Sequence, residues 1–208
     1  FMCDVSLYGM KPGAHHMVGM LIHALNSIVF YLCLCALMGA WRPAFLAALL
    51  LAVHPIHVES VAWASERKDL LCLLFLLLTL VQWHRWVISK HKKHYFGALL
   101  LYACCLMAKP MMVTLPVLLM VLDIWLYQRN LPISKPWRGL PEKLVFWVMA
   151  GLTGWVTLVA QGQNQGIQSA SDFPFHLRLA NGLVSLGAYL KNLFWPLLLT
   201  PEVPIQTQ

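Results

Sequence analysis

His54-Pro55-Ile56-His57-Val58-Glu59-Ser60-Val61-Ala62-Trp63-Ala64-Ser65-Glu66-Arg67-Lys68-Asp69 is the densest run of ionisable side chains in this sequence. It lies between two apolar runs, Ala44 to Val53 and Leu70 to Val81. Charge held between such runs is costly unless it faces water, an ion or an ionic substrate, so these residues mark a candidate functional site. Pro55 disfavours helical angles at His54. The run from Ala44 to Val53 is long enough to cross only part of a bilayer, so its helix must break near His54 while still close to hydrocarbon. Such breaks are tolerated where they line a cavity. The stretch reads as the wall of a site at a membrane face.

Composition sets the class around it. The chain is 60% hydrophobic and only 11% charged, with a mean hydropathy of +0.67, whereas a soluble domain carries about 25% charge. It reads as an integral membrane protein of the all-α class, a polytopic helical bundle with short or broken helices. Runs such as Leu70 to Leu80 lack the alternating polarity that a β-barrel needs.

The formal charge of +7 does not point to nucleic acid, because the cations are grouped in two links. Lys90, Lys92 and Lys93 fall in one, and Arg129, Lys135, Arg138 and Lys143 mark the other, the pattern of cytoplasmic loops. Of the six cysteines, Cys33, Cys35, Cys72, Cys104 and Cys105 lie inside apolar runs without zinc-type spacing and read as ordinary buried thiols.

Taken in order, the sequence predicts a first span over 14–38. On it His16, His23 and Asn26 share one face, which is expected to meet other helices or a wet cavity. The short run before His54 follows, then a span over 69–88 ending in Trp83, His84, Arg85 and Trp86, an interfacial belt. Two short arms, 95–108 and 111–127, meet at Lys109-Pro110. A span over 143–160, a polar segment over 161–181 and a last helix over 182–199 complete the expected membrane helices of one domain, 1–208. If the two basic links are cytoplasmic, His54 to Asp69, Lys109 and the 161–181 loop all fall on the opposite face.

His54-Pro55-Ile56-His57-Val58-Glu59, Ser65-Glu66-Arg67-Lys68-Asp69-Leu70-Leu71, Ala108-Lys109-Pro110, Leu115-Pro116, Asp123, Arg178-Leu179-Ala180-Asn181, Tyr189-Leu190 and Trp195-Pro196 carry a resemblance over nearly the whole chain. Together they resemble the membrane part of the tetratricopeptide-repeat-containing O-mannosyltransferases and their bacterial relatives, which are polytopic glycosyltransferases of the GT-C type. The resemblance implies a membrane enzyme that moves a mannose-like sugar from a polyprenyl-phosphate donor to a protein hydroxyl. The setting would be the endoplasmic reticulum membrane in a eukaryote or the inner membrane in a bacterium. It also implies a catalytic acidic residue in a loop lying mostly before Phe1, with Asp4 near its end, and repeats beyond the last helix.

The residue types suit that chemistry. Transfer to a hydroxyl needs a base and positive charge to stabilise the leaving phosphate. Glu59 and Asp69 are the catalytic candidates. Arg67, Lys68, Lys109 and Arg178 are the substrate-binding ones, with arginine suited to bidentate phosphate contact. His54, His57 and Glu59 are expected to hold a divalent metal ion, which takes carboxylate oxygen and tolerates imidazole. The expected partners are the lipid-linked donor, a protein acceptor and the membrane. Two other classes stay open at this point: a transporter, which should show related halves that this sequence lacks, and a noncatalytic membrane scaffold.

Overall fold

A computed structural model describes residues 9, 11–129, 140–163 and 175–194. All regular structure among the described residues is helical: α1 (Pro12–Met38), α2 (Trp41–Val53), α3 (Val58–Ala62), α4 (Arg67–Ser89), α5 (Lys92–Ala108), α6 (Leu115–Gln128), α7 (Leu140–Gln163) and α8 (Phe175–Phe194). Four helices, over 13–38, 67–89, 110–128 and 140–162, are long and apolar enough to cross a membrane. The bent pair Trp41–Val53 and Pro55–Ala62 makes a fifth if counted as one span. The protein is an integral membrane protein.

The helix ends follow from local chemistry. Pro12 sits in the first turn of α1, where its missing N–H costs nothing. Gly39 ends α1 at φ +65°, donating to Cys35 O at 2.9 Å, a left-handed cap that glycine adopts without penalty. The break expected at His54 is present: Pro55 holds His54 extended at φ −69°, ψ 125°, and the two arms are bent by 50°. The chain restarts as a single 3-10 turn, Pro55–His57, which His54 caps by accepting from Ile56 N at 3.2 Å.

Helices α4 and α5 form a tight antiparallel hairpin, with α1 packed on α4 and α2 on α1. The core lies where α4, α5, α6 and α7 meet, around Trp83, Ala98, Tyr102, Leu115, Leu119, Leu126 and Phe146. Outward faces remain apolar, as at Leu21, Leu25 and Ile28 on α1 and Leu152, Trp155 and Val156 on α7, which suits contact with lipid rather than water. Contacts also fix the two ends of the bundle. Arg129 Nη1 donates to Leu37 O and Met38 O, and Lys90 and Tyr95 meet Glu142, so these residues share one end. Arg67, His15, Asp69 and Lys109 are joined at the other.

Two sequence expectations are corrected here. Lys143 is not a loop charge: its side chain is fully buried, 2.5 Å from Asp123 Oδ2 and 5.0 Å above the Trp83 ring. The segment over 161–181 is not wholly a loop, and the last helix does not start at 182. α7 continues to Gln163 and α8 begins at Phe175, so only 164–174 falls outside the described residues. α8 is amphipathic rather than evenly apolar, and it is not among the helices apolar enough to cross.

α1 carries the motif helix on a bare backbone. A methyl group built at Gly19 would overlap the carbonyl oxygen of Val61, so α3 lies directly on α1 at that position. Gly19→Ala should therefore displace α3 and destabilise the protein by about 1–3 kcal/mol, the usual cost of overpacking. Thermal unfolding in detergent would register this, and a midpoint equal to wild type would contradict the close approach.

Candidate functional site

Two polar features occupy the end of the bundle that holds the motif. The first is a groove of about 440 Å³ between α1, the end of α2 and α3, into which His16, His23, His54 and His57 turn beside Met20 and Val61. The shared face of His16, His23 and Asn26 appears as expected, with the two histidines lining the groove and Asn26 buried, donating to Leu70 O at 2.8 Å. The His23 and His57 rings lie 5.5 Å apart and the His54 and His57 rings 6.3 Å apart.

Partners fix the protons in this groove. His54 Nδ1 accepts from Ile56 N–H, so its proton sits on Nε2, which donates to Leu193 O at 2.9 Å. A carbonyl only accepts, so His23 Nε2 donates to Ala52 O at 3.2 Å. His23 Nδ1 is left as a buried acceptor with no hydrogen-bond partner among the described residues.

This arrangement corrects the metal expectation. Both His54 nitrogens are engaged, so neither has a lone pair to offer an ion. Glu59 is exposed and does not line the groove that takes His54 and His57. Among the described residues, no group of three or more His, Cys, Asp or Glu is placed to hold a metal ion.

The second feature is an ion pair. Pro110 holds Lys109 extended at φ −153° between α5 and the 3-10 turn Pro110–Thr114. Lys109 Nζ thereby reaches both Asp69 carboxylate oxygens at 2.7 Å. The side chains are 27% and 29% exposed, so the pair faces solvent or headgroups rather than core. An ammonium has three N–H donors, and contact with one carboxylate leaves capacity for another anion.

The remaining candidates are placed differently from one another. Arg67 is buried and its Nη2 donates to His15 O at 3.0 Å, tying the start of α4 to the start of α1. Lys68 is exposed and 3.4 Å from Glu66. Arg178 lies in the first turn of α8, but its side chain, like Asp4, is outside the described residues. The sequence reading missed the pairing of Asp69 with Lys109. It was legible in principle, because a hairpin turning near Lys90 sets residues at about the same distance before and after the turn side by side.

Residues 5–155 match the profile of a family described as dolichyl-phosphate-mannose-protein mannosyltransferase. The chain belongs to this family. It is also similar to curated members named as protein O-mannosyl-transferases. With human TMTC1 it shares 44% identity over 79 residues, 37% of this chain and 9% of that protein. For human TMTC3 the figures are 35% over 85 residues, covering 41% and 9%, and for mouse TMTC2 30% over 134 residues, covering 62% and 16%. The chain thus spans a small fraction of the length of these relatives. No solved structure matches it. The part matched to the mannosyltransferase family runs from before α1 into α7, so it contains both the histidine groove and the Asp69–Lys109 pair.

Proposed function

We propose that this chain is the membrane part of a glycosyltransferase that moves a mannose-like sugar from a polyprenyl-phosphate donor to a hydroxyl of a protein acceptor. The observation that carries the reading is the placement of the solvent-facing Asp69–Lys109 pair and the histidine groove at one end of a bundle of this family. In this reading Lys109 meets the leaving phosphate and Asp69 positions its ammonium. Positive charge set where negative charge develops lowers the barrier without reorganisation at the moment of reaction.

Of the two catalytic candidates, Glu59 is the carboxylate this reading assigns to take a proton. Asp69 is held by Lys109 on both oxygens, whereas Glu59 is exposed on α3 beside the groove. In the full-length protein, Glu59→Gln should lower mannose transfer about a hundredfold, the low end for a positioned base, with monodispersity in detergent unchanged. Transfer of labelled mannose from polyprenyl-phosphate mannose to an acceptor protein measures it. Wild-type turnover by this variant would remove Glu59 from the chemistry, and absence of transfer by the wild-type protein with this donor would remove the proposed reaction.

The reading also needs the site on the non-cytoplasmic face, in the endoplasmic reticulum membrane of a eukaryote or the inner membrane of a bacterium. Ser65 and Lys92 are both exposed and stand at opposite ends of α4, a helix of 23 residues and so about 34 Å long. Single cysteines replacing Ser65 and Lys92, in an otherwise cysteine-free protein, should react with an impermeant thiol reagent from opposite sides of sealed vesicles. Labelling of both from one side would overturn the arrangement.

A further inference from the structure

Away from the groove and the ion pair, a second cluster of reactive side chains is built across the α4–α5 hairpin. Cys72 on α4 and Cys105 on α5 meet with their Sγ atoms 3.5 Å apart, and Cys105 Sγ lies 3.4 Å from the Cys72 carbonyl oxygen. Both residues are buried and carry free thiols. The register that brings them together also sets Asp69 against Lys109. Asp69 precedes Cys72 by three residues and Lys109 follows Cys105 by four, so each stands one turn further along the same helix face. The helices are held close between these points and the turn, since Ala98 is fully buried and a methyl group at Gly97 would touch the Gln82 side chain at 3.4 Å.

The geometry points to Cys72 and Cys105 as an oxidation site, a dithiol that closes to an interhelical disulfide and clamps the hairpin one turn beneath the Asp69–Lys109 pair. Closing it requires the sulfurs to approach by about 1.5 Å, from 3.5 Å to the bonded separation of about 2.05 Å. Two S–H bonds break and one S–S bond forms, and two protons and two electrons pass to the oxidant. Burial bars bulky and charged reagents. The oxidant is therefore a small, neutral, membrane-permeant two-electron acceptor. Cys104 is turned about 100° from Cys105 around α5 and does not share this register.

The test uses the full-length protein with a protease site inserted between Ser89 and Lys92, treated in membranes with diamide, whose N=N bond takes up both hydrogens. After blocking free thiols and cleaving, the two parts should stay joined on non-reducing electrophoresis and separate after dithiothreitol. Cys72→Ser, Cys72→Ala and Cys105→Ser should each abolish the joined species, and Cys104→Ser should retain it. Oxidation should also raise the thermal midpoint of the uncleaved protein. Parts that separate after diamide, or a joined species lost with Cys104→Ser and kept with Cys105→Ser, would overturn the site. Equal midpoints for oxidised and reduced protein would overturn the clamp.

Discussion

Lys143→Met should lower stability by about 3–5 kcal/mol, the cost of breaking a buried ion pair from one side. The Lys143 side chain is fully buried against an Asp123 side chain that is 9% exposed. Asp123 Oδ1 accepts from Trp83 Nε1 at 2.7 Å and its Oδ2 from Lys143 Nζ. Methionine fills the volume but leaves the buried carboxylate with the indole N–H in place of its ion pair. Adding Asp123→Asn removes the stranded charge and keeps an oxygen for Trp83. The double variant should therefore recover most of the loss, since a buried pair replaced whole is often near neutral. Thermal unfolding and monodispersity of the full-length protein in detergent would compare the three forms. A single variant as stable as wild type, or a double variant no better than the single, would show that the pair does not hold α6 and α7 to α4.

That pair marks where the sequence stops being legible. Lys143 stands beside a basic link, and nothing local to it reveals a carboxylate twenty residues upstream, so it reads as one more loop cation. Arg67 is a similar case: nothing local to it reveals that its guanidinium turns inward to the His15 carbonyl. Features set by short-range chemistry read correctly. Pro55 and Pro110 dictate extended angles at His54 and Lys109, and the apolar runs set the spans up to α7 to within a few residues. The start of α8 is lost because Gln, Asn and Ser suggest a loop, whereas on a helix beginning at Phe175 the polar positions Asn181, Ser185 and Asn192 recur as one narrow stripe. The groove lies between these cases. The shared face of His16 and His23 follows from periodicity, but its meeting with His54 and His57 depends on how α3 lies over Gly19.

Lys109→Ala should cost about 10²–10³-fold in mannose transfer by the full-length protein, the loss seen when one preorganised charge-stabilising donor is removed. It should cost little stability. A part-exposed pair contributes about 1 kcal/mol or less, and Lys109 and Asp69 are each more than a quarter exposed. The Asp123–Lys143 and Asp69–Lys109 pairs thus separate cleanly: loss of Lys143 should be read in unfolding, and loss of Lys109 in turnover and donor dependence. Asp69→Asn should fall between, because the amide oxygen still orients the ammonium while the compensating charge is gone. Arg67 supplies the control. Its buried contact with His15 predicts that Arg67→Lys lowers the thermal midpoint while leaving the donor concentration for half-maximal transfer close to wild type. Titrating polyprenyl-phosphate mannose at saturating acceptor, with unfolding measured on the same preparations, distinguishes these outcomes. If Lys109→Ala keeps both the turnover and the donor dependence of wild type, its pairing with Asp69 only fastens the hairpin, and the donor phosphate is held by other residues.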